Sequence, residues 1–178
     1  TGTVTVTLLF VESDGTGADP NSYTWTAADV QNYVNGVNTG LVWWSAQAKQ
    51  YNNCWVAFFV RWVPPTDSRC KQWREMVQHP SGEVAAMATD VMAKFGYNSG
   101  THMTRVAAFN TAQRSLYGTD WAYTGFVVYN PEPAPGQLTD GTAAFAYLTG
   151  PYTFLLFRSY GWRPDQVFTH ESGHIFGA

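Results

Sequence analysis

Apolar and polar positions change period several times along the chain, and each change marks an element. Thr3 to Val11 (TVTVTLLFV) alternates and then turns wholly apolar, the pattern of a strand entering a core. Asp14 to Asn21 is a Gly/Asp/Pro loop. Val30, Tyr33, Val34, Val37, Leu41, Trp44, Ala48 and Tyr51 then recur at spacings of three and four. This predicts a long amphipathic helix with one buried stripe. Thr26, with Asp29 three residues on, would cap it. Gly36 and Gly40 lie inside that helix, where each costs about 1 kcal/mol relative to Ala. Their small size suits close approach of a sheet.

Cys54 to Val63 (CWVAFFVRWV) is continuously apolar until Pro64-Pro65 stops it, and reads as a central strand covered on both faces. Ser81 to Phe95 is a predicted helix, capped by Ser81 and ended by Gly96. Thr101 to Tyr117 is another, closed by Gly118. Ala122 to Tyr129 is a strand, and Asn130 to Gly136 a Pro-rich loop. Ala143 to Leu148 and Tyr152 to Phe157 are two further strands, with a hairpin or bulged corner at Thr149-Gly150-Pro151. From Arg163 onward, Pro164 and Asp165 suit a first helical turn, and Val167, Phe168, Ile175 and Phe176 form an apolar face. The order predicts a single domain of α/β (α+β) class, with about five strands and long helices packed on the sheet.

Composition narrows the function. Charged residues make up only 13% of the 178 residues, and the net charge is −3 with no basic run, which argues against nucleic acid as a partner. No apolar run reaches the roughly 18–20 residues of a membrane span. Aromatics at 16% exclude a disordered chain. Polarity comes from Thr, Ser, Asn, Gln and Gly, a style that points to an extracellular, secreted protein, and the opening TGTVTV resembles a mature secreted chain. Cys54 and Cys70 are either one bridge or two free thiols.

One motif carries chemistry. His170-Glu171-Ser172-Gly173-His174 is an H-E-x-x-H element. Shuffling this composition produces such an element in roughly 0.2–0.3% of chains; the lesser alternative to a metal site is a surface helix whose His and Glu make ordinary i,i+4 contacts. On a helix, His170 and His174 share one face and can both reach one zinc ion, about 2.0–2.1 Å from each nitrogen. Glu171 lies about 100° round the helix, where its carboxylate can take a proton from a zinc-bound water instead of ligating the metal. The target would be a carbonyl, most often a peptide bond.

Ile175, Phe176 and Gly177 extend the motif to H-E-x-x-H-x-x-G. With this extension the chain resembles the metzincin superfamily of zinc metallopeptidases. The resemblance implies a glycine turn at Gly177 and a third zinc ligand, His or Asp, three residues after it. That ligand would fall two residues beyond Ala178. The resemblance also implies a metzincin-like upper subdomain: a mostly parallel twisted sheet, an antiparallel edge strand fourth in order, and a C-terminal zinc-binding helix. A C-terminal remainder of the same enzyme would complete it. The edge strand would bind an extended protein or peptide substrate, and Gly141 to Leu148 (GTAAFAYL) is the matching segment, with Ala143, Ala144, Phe145, Ala146 and Tyr147 against the substrate. The implied activity is zinc-dependent endopeptidase. The competing reading is a non-catalytic secreted binding domain with a vestigial or structural zinc helix.

His79 and His102 could each stand in as a third ligand, although a solvated or structural role suits a lone histidine better. Asp14, Asp19 and Asp140 lie in Gly-rich loops that could hold calcium; their spacing matches no EF-hand, and turn chemistry is the better reading. Asp120 reads as a turn cap. Trp43, Trp44, Trp55, Trp62, Trp73, Trp121 and Trp162 read mostly as core residues, with a sugar-stacking platform as the lesser alternative. Glu75 and Glu83 are discounted as a paired-carboxylate site.

Overall fold

A central strand, β1 (Gly2–Ser13), runs between β2 (Val56–Val63) and β4 (Trp121–Val128) and is parallel to both. The computed structural model describes residues 1–14, 24–72, 80–129 and 136–178. Strand β6 (Tyr152–Leu156) continues the parallel sheet beside β4, and β5 (Ala144–Ala146) closes the edge antiparallel to β6. The main order is β2-β1-β4-β6-β5, and the two-residue β3 (Lys71–Gln72) pairs with the end of β1. The fold is therefore α/β, with a five-stranded, mostly parallel main sheet and, among the described residues, four α-helices.

Helices cover both faces of the sheet. Helices α1 (Ala27–Asn52) and α4 (Pro164–Ile175) pack on the even-numbered residues of β1: Val4, Val6, Leu8 and Phe10. Helices α2 (Val84–Lys94) and α3 (His102–Tyr117) pack on the odd face, with Leu9, Val11, Phe126 and Phe154. Two covered faces explain why β1 loses its alternation after Thr7. Thr26 and Asp29 form a capping box on α1, and Thr101 caps α3, which Gly118 closes at φ +63°.

Several expectations change. Cys54 to Val63 was expected to hold a central strand, but β2 is an edge strand. Phe59 and Trp62 are exposed, and Arg61 lies over the Tyr117 ring at 4.9 Å. An apolar run encodes a strand's appetite for burial, not the number of its neighbours. Gly36 and Gly40 admit helix α4, not the sheet: an added Cβ at Gly40 would lie 2.1 Å from Thr169 Oγ1. Ser81 does not cap α2 with its side chain. A 3-10 turn over Ser81–Glu83 precedes the helix, and Asp140 Oδ2 accepts from the Ser81 N–H at 2.7 Å. The tryptophans expected in the core are mostly outside it: Trp43, Trp55, Trp62, Trp121 and Trp162 are all exposed. Trp44 is half-buried, and Trp73 lies outside the described residues. Cys54 and Cys70 are free thiols, and burial pushes Cys70 up to about 12.

Candidate metal centre

The motif sits on α4, which is held from several directions. Pro164 occupies the first helical turn, and Arg163 pairs with Asp165. Trp44 Nε1 on α1 donates to Thr169 O at 2.9 Å. From the sheet, the Tyr123 hydroxyl meets Ser172 Oγ at 2.8 Å inside the core. The β5–β6 turn docks on the far end, where Thr149 N–H donates to His174 O at 2.9 Å. Beyond Phe176 the helix closes in a Schellman arrangement. Ala178 N–H reaches Gly173 O at 3.0 Å, Gly177 N–H reaches His174 O at 3.1 Å, and Gly177 adopts φ +84°.

This turn acts on the histidines. It brings Ala178 O to 3.0 Å from His174 Nδ1. A carbonyl can only accept, so Nδ1 donates in this contact, and Nε2 is the ring nitrogen left to face a metal. His174 Nε2 lies 3.2 Å from His170 Nε2, with the rings at 86°. Two nitrogens held 2.0–2.1 Å from one tetrahedral ion stand about 3.3–3.4 Å apart. The observed spacing is that of a direct N–H···N contact between the rings and also lies close to the separation of two ligands on one zinc ion. Among the described residues, no group of three or more His, Cys, Asp or Glu gathers here or elsewhere. The donor set in hand is therefore the two imidazoles.

Glu171 is 6% exposed, and its Oε2 has no hydrogen-bond partner. An orphaned buried carboxylate oxygen is costly and calls for a ligand-side explanation. Burial raises its pKa to about 7, against the pull of His174. At that value the carboxyl can both accept and return a proton near neutrality.

His170 and Glu171 line a cleft of about 760 Å³ together with Ala143, Ala144 and Phe145 of the edge strand. Gln166, Tyr160 and Trp162 line it as well; the sequence pattern carried no signal for Gln166 and Tyr160, and Trp162 was read there mostly as a core residue. Ala146 and Tyr147 lie past this lining; the Tyr147 ring packs on Phe145 and Tyr152 instead. Phe145 itself stacks on Phe154 at 5.4 Å, so toward the cleft it offers mainly backbone.

The other candidates lie apart from the motif. His102 is on α3, across the sheet, with Nδ1 2.9 Å from the Tyr152 hydroxyl. Asp140 binds the Ser81 and Thr142 N–H groups, which hold its carboxyl far below the usual range, and Asp120 Oδ2 accepts from Thr3 N and Oγ1. Both act as turn and strand caps. Asp14 and Asp140 join no acidic cluster among the described residues, and nothing there supports calcium. Glu83 sits in the 3-10 turn before α2. His79, Asp19 and Glu75 fall outside the described residues. No helix of the described residues is long and apolar enough to cross a membrane. Comparison of the chain with protein-family models, curated proteins and solved structures returned no match.

Proposed function

We propose that this chain is the upper subdomain of a secreted, metzincin-type zinc endopeptidase. The observation that carries the reading is the facing pair of Nε2 atoms, 3.2 Å apart, beside the orphaned carboxylate of Glu171. The fold adds support, since the fourth of the five main strands is the antiparallel edge and lines the same cleft. His170 and His174 would hold zinc, with His174 oriented by Ala178 O. Zinc, when bound, supplies Lewis acidity for water and for the scissile carbonyl. The Glu171 carboxylate would accept the proton of the attacking water and return it to the leaving amine. An extended peptide adds to the free edge of β5 through main-chain hydrogen bonds.

The reading includes a C-terminal remainder of the same enzyme, carrying the third ligand. In its favour, a cavity of about 660 Å³ opens beside the end of α4, where Val4, Trp121, Tyr123, Ile175 and Phe176 line it together with Asn110 and Arg114. Phe176 and Leu148 are exposed nearby. Surfaces of this kind mark interaction sites.

The test is Glu171→Gln in the full-length protein. Chelator-sensitive cleavage of a mixed peptide library should fall by at least a hundredfold, with zinc still bound. Unchanged cleavage in the variant would remove Glu171 as the base. Absence of chelator-sensitive cleavage in both forms would favour the binding-domain reading.

A further inference from the structure

We propose that Tyr160 and Trp162 form an aromatic corner that selects an aromatic side chain of an extended peptide lying along β5. This rests on the peptidase reading for the peptide's position, and it assigns the specificity of the cleft.

The two rings have no core role. Tyr160 is 46% exposed and Trp162 64%, and both line the cleft that holds His170 and Glu171. Their centroids are 6.1 Å apart and the rings are tilted by 45°. That spacing leaves no slot between them. The open angle instead accepts a third ring in tilted or edge contact with both.

The turn that presents them is held tightly. Ser159 is buried, and its Oγ donates to Leu156 O at 2.6 Å and to Ala143 O at 3.3 Å. The Tyr160 hydroxyl donates to Gly141 O, and the Tyr160 N–H reaches Gly136 O at 3.4 Å. Gly136 is itself wedged in place, since a Cβ there would lie 2.3 Å from Arg158 O. Tyr160 adopts φ +50°, ψ +18°, which costs a side-chain-bearing residue about 1–2 kcal/mol relative to ordinary backbone. Glycine would relieve that cost, whereas tyrosine adds the ring in the cleft and the hydroxyl that tethers it to Gly141 O. A strained residue, fully tethered and facing a cleft, is the pattern of a pre-organised recognition element.

The chemistry of the lining selects the occupant. Of the residues that line the cleft, only His170 and Glu171 are ionisable at neutral pH; the rest are Gly, Ala, Thr, Ser, Gln, Val and aromatics. An aromatic side chain entering at Tyr160 and Trp162 meets two rings, in a cleft whose remaining lining is mostly uncharged. An extended peptide repeats each face every two residues, about 6.6 Å, so one register of the peptide brings a given side chain to this corner.

The test uses the Glu171→Gln protein with zinc present, so binding is read without turnover. One Phe is moved through an otherwise Ala/Ser/Thr fluorescein-labelled nonapeptide, and affinity is read by fluorescence polarisation. One register should bind about tenfold more tightly than the Phe-free parent. Trp162→Ala should erase that gain and leave the parent's affinity within twofold; at 64% exposure this variant is expected to fold. Tyr160→Phe should keep most of the gain, and Trp55→Ala, exposed just before the opposite edge strand β2, all of it. Equal binding at every Phe position, no peptide binding, or a gain that survives Trp162→Ala overturns the proposal. So does a soluble oligosaccharide that quenches Trp162 fluorescence where the peptides do not. Failure of the peptidase reading shows separately, as cleavage insensitive to chelator, and leaves the binding preference measurable.

Discussion

Replacing Gly40 by alanine gives a test whose sign separates local from tertiary control. On helix propensity alone the change stabilises an exposed helix by about 1 kcal/mol. Here the new methyl would sit 2.1 Å from Thr169 Oγ1 and 2.8 Å from Asp165 O on α4. Neither neighbour gives way easily. The Thr169 hydroxyl donates to Asp165 O, its carbonyl accepts from Trp44 Nε1, and Asp165 O is backbone. Helix α4 must therefore retreat from α1, loosening Val167 and Phe168 against the sheet. Overpacking of this kind costs about 1–3 kcal/mol. After the propensity gain, a net loss of up to about 2 kcal/mol remains, or up to roughly 8 °C in a domain of this size. Urea unfolding followed by far-UV circular dichroism measures it directly. Gly36→Ala, which meets Pro164 Cβ at 2.9 Å and Asp165 N at 3.3 Å, should lose less. Adding Thr169→Ala to Gly40→Ala removes the closer contact and spares the other, so part of the loss should return, with a coupling of at least about 0.5 kcal/mol. A Gly40→Ala protein with a raised midpoint would mean that α1 and α4 do not meet at these residues, and the placement of the motif helix would fall with it.

Other perturbations follow from single groups. Burial raises the Glu171 pKa from 4.5 to about 7, so the native state holds a proton that the unfolded chain has released. The metal-free protein should then lose stability as pH rises through this window, by up to about 3 kcal/mol by pH 8, and Glu171→Gln should flatten the profile in chelator-treated urea titrations. Tyr123→Phe removes the partner of buried Ser172 and should cost about 1–2 kcal/mol in the same assay. Gly177→Ala places a side chain at φ +84° and should cost about 1 kcal/mol. It also displaces Ala178 O from His174 Nδ1, and calorimetric zinc affinity should drop about tenfold.

The elements legible in the sequence are those whose signals are local. Helix α1 is set by a capping box three residues wide and a stripe of period 3.6, and α3 by Thr101 and Gly118 at its ends. Strand β2 was legible as a strand but not as an edge, because its neighbours are chosen by β1 and by the helices, far away in the chain. Strand β3 was missed. Two residues carry no period, and their pairing with β1 is long-range, as is the Lys71–Glu12 ion pair that accompanies it. The tryptophans misled for a related reason. Large apolar residues beside strands look like core material, and only the assembled layers decide which faces stay open.

The same division runs through the candidate site. His170, Glu171 and His174 could be brought together on paper because four residues of helix suffice to do it, and Gly177 is one step further along the same helix. The burial that raises Glu171 was not legible, since it comes from packing beneath α1 and against the sheet. Still less so were Tyr160 and Trp162. Their presentation depends on contacts with Gly136, Gly141 and Ala143, about twenty residues upstream and on the other side of β6. A metal pair encoded within one helix can be read from spacing alone. A specificity surface assembled from a turn, an edge strand and a helix cannot, because no single segment contains its geometry, and that is where a structure adds most to a motif.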